Sequence, residues 1–246
     1  MYISIYMKLI CNIHNDISLL PHFLQHYNKF GVDEFILGIW QGEKNLIWNE
    51  ICDKYGNFRI HLVKSYDVQL DGVEEWHFWE RCRETLIPEK EWYLVTDLDE
   101  FYNFSDYKNV YSLIEDMEKE GAVYSSNDLV DRTTLDGTIP LSIDPLIPIW
   151  EQFPKNTDIT GRLLGGCPVK VILAKQHVAT HAGHHDVDPI HIQFSKKGIV
   201  FHYKWFGELL KKEEIKYEHY KSLGYAYCRE NLNLINIIKS NGGKLF

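Results

Sequence analysis

A chain of 246 residues, 45% hydrophobic and 14% aromatic, can bury one large core or a core with a small appendage. Its formal net charge of -9 argues against nucleic acid as a partner, because phosphate binding needs a positive surplus on the domain. Cys11, Cys52, Cys82, Cys167 and Cys228 are scattered with no Cys-x-x-Cys pair, which fits a reducing, cytoplasmic setting better than a disulfide framework.

Met1 to Lys8 lacks the basic start and long apolar run of a signal peptide. No stretch approaches the roughly 20 apolar residues of a transmembrane span. Peripheral membrane contact stays open. Lys8 to Ile13 reads as a buried strand. With Ser18 as candidate N-cap and Pro21 in the first turn, Leu20, Phe23, Leu24, Tyr27 and Phe30 then follow helical spacing up to Gly31. Glu34 to Ile39 is the next strand, Asn45 to Tyr55 a helix stopped by Gly56, and Arg59 to Val63 a third strand. Val73 to Leu86 is a helix ended by Pro88, and Trp92 to Thr96 a fourth strand. This alternation predicts an α/β fold with a mostly parallel central sheet flanked by helices and ligands at the carboxyl ends of the strands.

Val110 to Met117 is a further helix and Ala122 to Ser125 a short strand. From Ser126 to Pro168 the pattern dissolves into an Asp-, Thr-, Pro- and Gly-rich segment, and irregular stretches of that length are usually functional. Val169 to Leu173 and Ile199 to Tyr203 are late strands, and helices near Phe206 to Leu223 and Asn231 to Ser240 close the chain. The expected division is one domain over 1–205, in two halves near 1–104 and 105–205, plus a helical extension of that domain over 206–246.

The strand Trp92-Tyr93-Leu94-Val95 delivers three carboxylates within four positions, Asp97, Asp99 and Glu100. Mutual repulsion disfavours that arrangement without a cation or strong donors. If the backbone stays extended, Asp97 and Asp99 point the same way and both reach one hard cation, Mg2+ or Mn2+. Such an ion can bridge a diphosphate and stabilise the leaving group.

Asp97-Leu98-Asp99-Glu100-Phe101 after a Trp-containing strand resembles the Asp-x-Asp motif of GT-A-fold glycosyltransferases, in their family 2-like and family 92-like branches. Asn15 to Tyr27, Phe30 to Phe35, Val130-Asp131-Arg132 with Asp136-Gly137, Gly183-His184-His185, and Phe201-His202-Tyr203 are similar to segments of those enzymes, in the same order. Where such enzymes often carry Lys-Asn-Glu early on, this chain has Ile13-His14-Asn15-Asp16. The resemblance implies a Rossmann-like GT-A nucleotide-diphospho-sugar transferase fold and an enzyme transferring a sugar, from a UDP-sugar by family prevalence, to a hydroxyl acceptor such as a glycan. It implies that Asp97 contacts the ribose or a metal-bound water, that Asp99 binds the metal, and that Asn15 approaches the base or ribose. Arg81 and Arg83 are candidates for phosphate.

His177, His181, His184, His185 and His191 crowd one window, and His181-x-x-His184 has a zinc-like spacing. The resemblance makes a late histidine the distal metal ligand, with His202 first and His184 second. For an inverting reaction one carboxylate takes the acceptor's proton; Asp131 and Asp188 are the alternative bases, and Glu151 a third choice. Trp150, Phe153 and Trp205 are candidates for a sugar-stacking wall. Two other classes stay open: a metal-dependent hydrolase using the His181 to His185 cluster, and a non-catalytic sugar-binding module.

Overall fold

The computed structural model describes residues 6–14, 17–65, 72–103 and 105–246. The chain forms two compact units, the first from Met1–Asp128 with Val169–Val200, the second from Leu129–Pro168 with Phe201–Phe246.

The first unit is built around β1 (Lys8–Ile13), which pairs in parallel with β2 (Glu34–Ile39) on one side and β4 (Trp92–Val95) on the other. β3 (Ile60–Lys64) extends the parallel core beyond β2. β8 (Val169–Lys175) joins β4 antiparallel, Leu94 opposite Leu173, and β6 (Tyr124–Thr133) joins β8 antiparallel with a bulge at Ser125/Ser126. With β9 (Ile199–His202) and β5 (Glu100–Asn103), the strand order is β3-β2-β1-β4-β8-β6-β9-β5. The α/β class with its parallel central sheet is therefore as the alternating pattern predicts. All six residues of β2 are buried, as expected for a parallel strand covered on both faces.

Helix α1 (Leu20–Phe30) presents Leu20, Phe23, Leu24, Tyr27 and Phe30 inward. Gly31, at φ 109, closes it in the left-handed conformation that glycine adopts at least cost. Ser18 is not its cap: the N-cap position is Leu19, without a side-chain bond, and Pro21 supplies the pre-set φ of the first turn. Asn45 caps α2 (Leu46–Lys54) by accepting from the Ile47 amide at 3.0 Å. Helix α3 (Gly72–Leu86) buries Phe78, Trp79 and Cys82 against Ile10, Ile36, Tyr93, Val171 and Val187. Helix α4 (Val110–Lys119) starts on a capping box of Asn109 and Ser112.

In the second unit the end of β6 pairs antiparallel with β7 (Lys155–Thr157), Asp131 opposite Thr157. A short α5 (Ile149–Gln152) and one stretch of π-helix, Ile159–Leu164, lie in the segment read as irregular. Helices α6 (Leu209–Ser222) and α7 (Cys228–Ser240) complete the unit around Ile159, Leu164, Trp205, Leu234, Ile238 and Leu245. No helix among the described residues is long and apolar enough to cross a membrane.

Candidate functional site

β4 ends at Val95, and the chain turns at once. Thr96 is fully buried and its amide bonds the Ile10 carbonyl at 3.1 Å, tying the strand end to β1. The Glu100 amide then bonds the Asp97 carbonyl at 3.1 Å. Residues 97–100 thus form a turn, not the extended backbone that would point Asp97 and Asp99 the same way, because the strand has lost its ladder and the chain must reverse into β5. The turn is held from inside. Glu100, 1% exposed, accepts from the Thr96 hydroxyl at 3.3 Å and the Asp97 amide at 3.4 Å. Tyr27 donates to the Glu100 carbonyl at 2.9 Å and accepts from the Tyr102 amide at 3.1 Å, and Phe101 packs on Phe23, His26 and Tyr27.

Lys170, from β8 and 73 positions beyond Asp97, completes this arrangement. Its ammonium lies 2.7 Å from Glu100 Oε1 and 3.1 Å from Asp97 Oδ2, with the residue only 5% exposed. Burial opposes ionisation of Asp97, but Lys170 outweighs it and leaves the carboxyl below its ordinary value. Burial likewise works against the Lys170 charge, and Glu100 and Asp97 together raise its pKa well above that of an ordinary lysine. The Cys11 thiol, at the centre of β1, is pushed up by burial first and then by Asp97, Asp99, Glu75 and Glu100. The carboxyl ends of β1 and β4 therefore sit in a negative field. Glu75 of α3 accepts from Asn12 Nδ2 at 3.1 Å and lies 3.6 Å from His14 Nε2.

Carboxylate oxygens are the donors that Mg2+ and Mn2+ prefer, so the chemistry of the turn fits such an ion. Two of these carboxylates, Asp97 and Glu100, already face the Lys170 ammonium.

Asn15 lies outside the described residues. Arg81 donates to the Ser65 carbonyl at 3.4 Å and shares an open hollow with Glu74, Glu80 and Glu84, a setting unfavourable to phosphate. Arg83 is 7% exposed and engaged with Glu80 and the Gln176 carbonyl, so it ties α3 to the chain after β8 and is not available to a ligand. His184 is 1% exposed, shares a hydrogen bond of 2.8 Å with the Thr180 hydroxyl through Nδ1, and packs against Trp79 with ring centroids 3.7 Å apart and planes tilted by 48°. His185 Nδ1 bonds the Val169 carbonyl at 2.7 Å. Among the described residues no metal-ligand group joins His181, His184 and His185. Asp188 accepts from the Ile190 amide at 3.1 Å and is exposed.

In the second unit Asp131 and His202 meet. His202 Nδ1 donates to Asp131 Oδ1 at 2.9 Å, and Thr160 adds its hydroxyl at 2.9 Å and its amide at 2.6 Å. Burial works against the Asp131 charge, yet these bonds leave its carboxyl below the ordinary value. An ionised carboxylate on Nδ1 fixes the tautomer that carries its lone pair on Nε2, the arrangement that orients a metal-binding or proton-accepting imidazole. Neither sequence position announces the other, since 71 residues separate them. Of the three aromatics expected as a stacking wall, Phe153 and Trp205 are fully buried and serve packing, whereas Trp150 is 60% exposed.

No family model matches the chain, and no curated protein matches it. Among solved structures it is similar to HddC from Yersinia pseudotuberculosis, at 10% identity over 81% of this chain and 90% of that one, with a TM-score of 0.40. It is also similar to a 4-diphosphocytidyl-2C-methyl-D-erythritol synthase, at 12% identity over 70% of this chain and 75% of that one, with a TM-score of 0.36. A third is UDP-glucose pyrophosphorylase complexed with UDP-glucose, at 12% identity, covering 56% and 64% of the two chains, with a TM-score of 0.33. None of the three is a glycosyltransferase of the family 2-like or family 92-like branches, and likenesses this distant carry no argument about chemistry. The resemblance to those branches rests on the motifs in the sequence.

Proposed function

We propose that the chain is a metal-dependent glycosyltransferase that moves a sugar from a nucleotide-sugar donor, UDP-linked, to a hydroxyl acceptor such as a glycan, with inversion. The observation that carries this reading is the turn from Asp97 to Glu100, which gathers three carboxylates at the carboxyl edge of β4 beside the end of β1. Ligands of α/β sheets bind at that edge. Asp99 is assigned to the metal, Asp97 to the ribose or a metal-bound water, and Asn15 to the base or ribose. His202 is proposed as an imidazole ligand through Nε2, with Asp131 orienting it. Asp131 suits that role better than the role of base, because its two oxygens already accept three hydrogen bonds.

In the reaction the bond from the sugar's anomeric carbon to the diphosphate oxygen breaks, the electron pair leaving with the nucleotide. A divalent ion, when bound, neutralises the charge that develops there. The acceptor oxygen attacks from the opposite face, and Asp188 takes its proton. The hydrolase reading is not favoured, because His184 and His185 are committed to separate partners.

The test is calorimetric titration with UDP, GDP and CDP, each with and without Mn2+. UDP is expected to bind weakly without the metal and tightly with it, and Asp99→Asn to weaken the metal-dependent binding at least about tenfold, or 1.4 kcal/mol, with the fold intact by circular dichroism. A chain that binds no nucleotide in the presence of Mn2+ is not this enzyme. Release of UDP rather than pyrophosphate on turnover separates glycosyl from nucleotidyl transfer.

A further inference from the structure

Lys170 is the second residue of β8, its register opposite Asn127, whose side-chain amide donates to the Lys170 carbonyl at 3.3 Å. The stem is buried, and its strand is fixed by β6 at Lys170 itself and by β4 further along, from Leu173 to Lys175. Its ammonium is therefore delivered to Asp97 Oδ2 and Glu100 Oε1 by rigid elements rather than by a flexible surface chain. A lysine so deeply buried costs free energy unless its charge is matched, and here two carboxylates match it.

A divalent ion bonded to those same oxygens would sit at about 2.0–2.6 Å from them. An ammonium 2.7 and 3.1 Å from the two carboxylates competes for that space and repels a dication approaching it.

We propose that Lys170 is the resident counter-ion of the acidic turn, holding Asp97 and Glu100 in place of a divalent ion and confining coordination to the Asp99 side. Lys170 is thus a positioning residue. The charge role stands without the glycosyltransferase reading; only the direction of coordination toward Asp99 rests on it.

The experiment titrates Mn2+, without nucleotide, into the full chain and into Lys170→Met and Lys170→Arg, by calorimetry. Lys170→Met should bind Mn2+ at least about tenfold more tightly than the unaltered chain, and Lys170→Arg, which keeps the charge, should stay within about threefold of it. A Lys170→Met chain that folds but binds Mn2+ no better than the original overturns the proposal, as does an equal gain in Lys170→Arg. If Lys170→Met does not fold, Mn2+ or Mg2+ should restore its circular dichroism, and failure to restore it also overturns the proposal. A merely structural ion pair predicts lost stability without a gained cation site. Failure of the enzyme reading looks different: no Mn2+-dependent nucleotide binding by the unaltered chain, with the cation gain in Lys170→Met still present.

Discussion

His184 is held between the Trp79 ring and the Thr180 hydroxyl, and its Nε2 finds no hydrogen-bond partner among the described residues. A protonated ring there would need a partner for that second N–H. Burial, and then the Lys170 charge, lower its pKa from 6.5 to about 3. Between those values the unfolded chain binds a proton that the folded chain does not, so this contribution is complete above about pH 6.5 and is lost as pH falls toward 3. In mid-window the slope is about 1.4 kcal/mol per pH unit. His26, lowered to about 4 mainly by burial, acts with the same sign, so a variant is needed to isolate His184. Urea unfolding of the intact chain should lose about 2 kcal/mol more than His184→Gln between about pH 7 and pH 5. Equal losses in the two chains would mean that the ring is protonated in the fold.

At the scale of elements, α3 and β2 approach closely at Gly38. A methyl group on Gly38 would stand 2.3 Å from Phe78 Cζ and 2.9 Å from Asn12 Oδ1. Gly38→Ala should therefore destabilise by about 1–3 kcal/mol, the usual cost of overpacking, and Phe78→Leu in the same chain should recover part of it. Thermal unfolding of the two single variants and the double variant measures that coupling; simple additivity would show that the contact is not where the strain lies. The strand bearing Gly38 was legible in the sequence to the residue, as were β1 and the span of α1, because their apolar runs have helical or buried-strand patterning and a glycine stop. β6 was not. Only Ala122 to Ser125 reads as strand, yet pairing continues to Thr133 through Asn127, Asp128 and Asp131. Those residues look like a loop because their polar groups are satisfied by distant partners: Asn127 by Lys170 and Gly198, Asp131 by Thr160 and His202. The same reason hid Lys170 itself, 73 positions from Asp97, whereas the carboxylates of the turn were legible from their clustering alone.

For the molecule as a whole, a net charge of -9 bears directly on how an anionic donor would be taken up. The excess negative charge repels a nucleoside diphosphate at long range, and within the first unit the carboxylates at the ends of β1 and β4 repel it at short range. Salt acts on the two differently. Raising ionic strength from about 0.01 M to about 0.1 M shortens the Debye length from about 30 Å to about 10 Å, which removes most of the long-range part and little of the local part. Without a divalent ion, UDP affinity should therefore stay weak and rise with salt. With Mn2+ present the local repulsion becomes attraction, so affinity should be high at low salt and fall modestly as salt screens the ion. The paired titrations should thus show opposite salt slopes, with the crossover governed by Mn2+ occupancy. A metal-free affinity that falls with salt would instead point to a positive subsite dominating the approach, and would place nucleotide recognition away from the acidic turn.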